Sequence, residues 1–97
     1  MRVSFDSYVL DTLMRDLVGH DRSPASYLVY LALARRTGGR KRTAAVMSHR
    51  EIAEETGLSK SAVQGALRHL VRRRLVASKR ASATAIPHHY VLKPWVR

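Results

Sequence analysis

Apolar residues recur along this chain in four helical patterns and in three short runs that read as strands. Leu10, Leu13, Met14 and Leu17 repeat at spacings of three and four, which predicts an inward-facing helix capped by Asp6 or Ser7 and ended by Gly19. Ser23-Pro24 is a cap followed by proline at the first helical position, where a missing N–H does no harm. The helix that follows, 25–36, is apolar nearly all round through Tyr27, Leu28, Val29, Tyr30, Leu31 and Leu33, the profile of a central helix. Gly38-Gly39 breaks it, and Thr43 to Met47 reads as a short strand.

From Ser48 to Val76 two amphipathic helices meet at a tight turn. Ser48 and Glu51 form a capping box, so a helix starts at His49, with Ile52, Ala53 and Thr56 facing inward and Glu54 and Glu55 outward. Gly57 supplies the left-handed conformation that ends this helix, Leu58 plugs the angle, and Ser59 caps the next. In that second helix Val63, Ala66, Leu67 and Leu70 make one apolar stripe. At about 100° per residue, Lys60, Ser61, Gln64, Gly65, Arg68 and Arg72 gather on the opposite side. This outer face is small, polar and cationic, without an acid. A glycine inside it lowers helix stability by roughly 1 kcal/mol relative to alanine and permits close backbone approach. Leu75 to Ser78 then reads as a strand, Lys79 to Thr84 as a basic tip, and Ala85 to Leu92 as a returning strand.

Through Glu51-Ile52-Ala53, Gly57-Leu58-Ser59, Ser61-Ala62-Val63 and Arg74-Leu75-Val76, the chain resembles the helix-turn-helix of winged-helix transcriptional regulators, such as the GntR and MarR groups, and of plasmid or phage replication initiators. The resemblance implies an α+β fold, mainly α. Its three-helix core carries an N-terminal helix and a small antiparallel wing, with the helix-turn-helix over 48–73 and the wing over 75–92 in a single domain, 1–97. Two departures carry expectations. The family commonly has glycine where Arg74 stands, which predicts a frayed or extended end to the second helix. Pro87 sits inside the last strand, which predicts that this strand is short or at an edge.

Charge points to the partner. The 97 residues carry a net charge of +11, and all seven acids lie at or before Glu55. Lys60, Arg68, Arg72, Arg73, Arg74, Lys79, Arg80, Lys93 and Arg97 follow with nothing to neutralise them. A polycation of this kind fits nucleic acid better than acidic membrane or acidic protein. The chain has no cysteine, which excludes a disulfide scaffold and any thiolate zinc site. The longest apolar run is far too short to span a bilayer and the N-terminus lacks a secretory pattern, so a cytoplasmic, nucleoid-associated protein is expected.

Five histidines invite a metal site, but His88 and His89 are adjacent on a strand and face opposite ways, while His20, His49 and His69 are scattered. No metal, cofactor or catalytic arrangement is expected. His49 and one of His88 or His89 read better as phosphate or surface contacts. The tribasic Arg40-Lys41-Arg42 either binds phosphate or is simply solvated.

The predicted reading is sequence-specific binding to double-stranded DNA by a small transcriptional regulator. Helix 60–73 enters the major groove, with Lys60, Ser61, Gln64 and Arg68 on base edges or flanking phosphates and Arg72 on the same face. Backbone amides beside Ser48 and Ser59 hold phosphates, His49 and Arg50 join the DNA-contacting set, and Lys79 and Arg80 lie along the backbone or in the minor groove. Replication or partition, RNA or ribosome binding, and protein interaction are the alternative roles of such a domain. A homodimer on an inverted repeat is expected, joined through Phe5, Tyr8 and Leu10 or through Pro94-Trp95-Val96, unless these residues pack in the core. A small-molecule effector is not expected, since 97 residues leave no room for a sensing domain.

Overall fold

The apolar stripes assemble around one buried helix, and in the computed structural model the described residues are 3–38, 40 and 42–96. Gly39, Lys41 and Arg97, which enter the predicted glycine break, the tribasic loop and the late cation series, lie outside them. Four helices and three strands follow in the order α1 (7–20), α2 (Pro24–Thr37), β1 (Ala44–Val46), α3 (His49–Thr56), α4 (Lys60–Arg72), β2 (Val76–Lys79) and β3 (His88–Val91). The antiparallel sheet has the order β1-β3-β2, with Ala45 and Ser78 both registered against His89. This is the winged-helix α+β arrangement. No helix among the described residues is long and apolar enough to cross a membrane.

α2 is the hub. Tyr27, Val29, Tyr30, Ala32, Leu33 and Ala34 are buried, and the core extends to Ile52 of α3 and to Val63, Ala66, Leu67 and Leu70 of α4. Pro24 occupies the first turn as expected, but the Ser23 hydroxyl pairs with that of Ser26 (2.6 Å) instead of capping an amide. Gly38, at φ +66°, closes the helix.

α1 departs from the predicted phase. The Met14 amide bonds the Val9 carbonyl and the Asp21 amide bonds the Asp16 carbonyl, both across five residues, so the helix is wound more widely than 3.6 residues per turn. In the wider turn every fourth residue stays in line, and the buried stripe is Val9, Leu13 and Leu17. Leu10 and Met14 fall one stripe over and are exposed, at 51% and 43%. Gly19 does not end the helix, which runs through His20.

The termini clasp each other. Tyr8 stacks on Trp95 with centroids 4.3 Å apart, and Trp95 Nε1 donates to Asp6 (3.3 Å), which also meets Lys93 (3.4 Å). Tyr8 and Trp95 are therefore packed within the fold and are not free for a partner, whereas Phe5 and Val96 remain partly exposed.

The end of α4 is sharp, neither frayed nor extended. The Leu75 amide bonds the Leu70 carbonyl and the Arg74 amide the Val71 carbonyl, both at 3.0 Å, the double closure that usually places glycine in the left-handed position. Here Arg74 takes it, at φ +59°. Arg74→Gly is expected to raise stability by roughly 0.5–1 kcal/mol, because an L side chain is strained in that conformation. A higher urea midpoint at unchanged slope will show it; an unchanged midpoint contradicts the strain.

Pro87 precedes β3 and lies outside it, and the Met47 amide bonds its carbonyl (3.3 Å). β3 is short, as expected, but is the central strand and not an edge. Lys79, predicted at the wing tip, is the last residue of β2.

Candidate nucleic-acid interface

The cap chemistry legible in the sequence sets the angle between α3 and α4. The Ser48 hydroxyl accepts from the Glu51 amide (3.1 Å) while the Glu51 carboxylate accepts from the Ser48 amide (3.2 Å). Gly57 at φ +79° ends α3, and Ser59 accepts from the Ala62 amide (3.1 Å) to start α4. With Val63, Ala66, Leu67 and Leu70 locked into the core, the opposite face of α4 must turn outward.

That face and the wing enclose a groove in two continuous parts. The larger, about 620 Å³, has buried Leu67, Pro87 and His89 in its walls, with exposed Arg68, Arg72, Lys79 and Arg80 around them. The smaller, about 360 Å³, is bounded by Ser48, His49, Arg50, Lys60 and the wing residues 83–86. His49, Gln64, Arg80 and Pro87 line both. No acidic residue is among the lining residues of either part.

Nine of the eleven predicted site residues thus meet in one groove. Ser59 and Ser61 are exposed but lie outside it, with their hydroxyls 3.3 Å apart. The nine are not equally free. Arg50 pairs with Glu54 (3.2 Å), Arg80 donates to the Ala83 carbonyl and so closes the wing turn (3.2 Å), and the Lys79 ammonium sits 5.8 Å over the Tyr90 ring. Arg40 folds back to the Thr37 carbonyl at the end of α2 (3.3 Å), and neither it nor Arg42 is a lining residue. Gly65 is not required by the fold, since an added Cβ would meet only the Arg68 guanidinium at 3.8 Å.

His89 belongs to the scaffold. It is 1% exposed, and its Nε2 must donate to the Met47 carbonyl (3.1 Å), which leaves Nδ1 to accept from the Ser78 hydroxyl (2.7 Å). One ring therefore ties the segment before α3 to both wing strands. Burial holds its pKa below the ordinary histidine value, against the Met47 hydrogen bond, which raises it, and with help from the His49, Arg80 and His88 charges. A phosphate contact fits only His88 of this pair, which is exposed.

Sequence reasoning missed Asp21. Its carboxylate, 7% exposed, accepts from His20 Nδ1 (2.8 Å) and His69 Nε2 (2.8 Å) and forms an ion pair with Arg73 Nε (3.1 Å). Burial disfavours the charge, but the His20 and His69 hydrogen bonds and the Arg73 charge outweigh it and hold the pKa below the usual carboxylate value. His69 in turn accepts from Arg72 Nη2 (3.4 Å), a groove residue. The corner between α1 and α2 thereby grips α4. No local pattern marks this residue, because its partners are 48 or more positions away apart from His20.

No curated protein and no solved structure matches the chain. The model of the MarR family matches residues 20–84, from the start of the α1–α2 corner to the wing turn, which is about two thirds of the chain and includes the groove except for its closing residues 85–89. With the winged-helix topology, the capped helix-turn-helix and the cationic groove, that match places this chain in the MarR family of DNA-binding transcriptional regulators.

Proposed function

We propose that the protein binds double-stranded DNA sequence-specifically, with α4 in the major groove and the wing on the adjoining backbone or minor groove. The observation that carries this reading is the acid-free groove in which the outer face of α4 meets Lys79 and Arg80. Gln64 suits adenine and Arg68 suits guanine through paired hydrogen bonds, with Lys60 and Ser61 at the start of the helix. Val71, 46% exposed beside Arg68 and Arg72, adds an apolar contact of the kind that meets a thymine methyl group. The amides at the starts of α3 and α4, beside Ser48 and Ser59, hold phosphates, and the cations supply affinity without base information. Selection of bound sequences from a random duplex pool, with structured RNA compared at equal salt, tests the reading. Enrichment of one motif supports it, and equal affinity for RNA overturns it.

A module with one recognition helix has a small footprint, and a homodimer on an inverted repeat completes it. The outer stripe of α1, Leu10, Met14 and Val18, is the surface we assign to the second copy. Asp11 and Arg15 lie along the same cleft and have no ion-pair partner among the described residues. An antiparallel copy related by a two-fold axis sets these opposite charges against each other at both ends of the stripe. Met14→Glu is expected to give a monomer in sedimentation, and a dimer that survives the change rules this face out.

A further inference from the structure

We infer that His49 is a proton-gated phosphate contact: a DNA backbone entering the groove brings a proton onto its imidazole, so that affinity for duplex rises as pH falls. The inference rests on the proposed DNA reading of this groove and adds to it a coupling to pH.

His49 opens α3 and is half-buried where the two parts of the groove join. The charges that face it are cationic: Lys60 comes from α4 and Arg80 from the wing. From β3 the buried His89 ring lies 6.5 Å away at 28° to its own, while the adjacent His88 faces the other way along the strand. On its own helix Arg50 is engaged by Glu54, and the Glu51 carboxylate is turned back to the Ser48 amide and hydroxyl (3.2 and 3.3 Å). Gln64, also lining the junction, is neutral. The imidazole makes no hydrogen bond to a described side chain or carbonyl, so its nitrogens are available to a ligand.

In the free protein, burial and then the charges of Arg80 and Lys60 hold the His49 pKa below the ordinary histidine value. A phosphodiester seated between Lys60 and Arg80 opposes the electrostatic part, because its negative charge offsets their repulsion and offers the imidazolium an anionic acceptor. The proton comes from solvent, and the bound form is favoured increasingly between the bound and free pKa values. His89 cannot serve in its place, since both its ring nitrogens are already paired in the core.

Binding of a mixed-sequence duplex is to be measured at about pH 6 and about pH 8, with proton uptake from calorimetry in buffers of different ionisation heat. About tenfold tighter binding at the lower pH and an uptake approaching one proton per chain are expected. His49→Gln is expected to remove most of that ratio. NMR of the wild-type His49 ring provides a readout independent of any variant's folding, with its titration moving to higher pH on addition of duplex. DNA binding with a flat pH profile, a His49→Gln protein that keeps the full ratio, or a ring titration unmoved by duplex overturns the inference and leaves the DNA reading standing. No binding at either pH overturns both.

Discussion

Asp21→Ala is expected to lower stability by about 2 kcal/mol, a larger effect than removal of any exposed ion pair in this fold. Removing the carboxylate strands His69, 24% exposed, and Arg73, 39% exposed, beside a space neither can fill. A fully buried carboxylate with charge-assisted bonds would give about 3 kcal/mol or more; the accessible His20 and Arg73 partners bring the figure down. For a domain of this size the loss corresponds to a fall in melting temperature of roughly 10 °C. The pH dependence has a definite sign. Because the folded pKa is depressed, this stabilisation is complete above the unfolded value of about 4 and disappears as pH falls through the folded one. Wild type and variant should therefore converge in acid, and a stability gap that persists at low pH would mean that packing, not charge, is what Asp21 supplies. The same variant loosens the hold on His69 and Arg72, so specific DNA affinity should fall even where the protein remains folded.

Arg68→Ala and Gln64→Ala should each weaken binding to the preferred duplex by about 1–3 kcal/mol while weakening binding to unrelated sequences much less. Both side chains line the groove on the free face of α4, and neither is held in an ion pair among the described residues. Joint removal of Lys79 and Arg80 is the contrasting case. With these wing residues on the DNA backbone, as proposed, every sequence should lose affinity alike and the salt dependence should become shallower by about 0.9 for each phosphate no longer neutralised. Equal losses on preferred and unrelated DNA for Arg68→Ala would assign base recognition to other residues, with Lys60 and Ser61 the next to test.

What could be read from the chain alone was whatever is decided within one or two helical turns. The Ser48–Glu51 box, Gly57, the Ser59 cap and the Val63–Leu70 stripe were all legible, and they place most of the groove. The winding of α1 was not, because its phase depends on bonds across five residues that no spacing rule anticipates; spacings of three and four put Leu10 and Met14 in one stripe with Leu13 and Leu17, whereas the wider turn leaves them exposed. Arg74 misled for a related reason. Glycine is the expected residue in the left-handed position, but packing of Leu75 and Val76 into the core holds the turn with arginine. Pro87 correctly signalled a short strand, yet not its place in the sheet, which is decided by pairing partners more than 40 positions apart for β1 and 9 to 15 for β2. Asp21 and His89 were hidden most completely. Each is an ordinary polar residue in its own neighbourhood and acquires its role from contacts across the molecule.

The strand order β1-β3-β2 also bears on how the protein is made. During synthesis α3 and α4 leave the ribosome well before residues 88–91, yet β1 and β2 have no pairing with each other and each depends on β3. Until that strand arrives, Met47 and Ser78 lack His89 and the wing has no second arm. A nascent chain halted before His88 exposes the cationic helix without the sheet that orients it, so the groove is completed in one step when β3 is made and is not accumulated along the way.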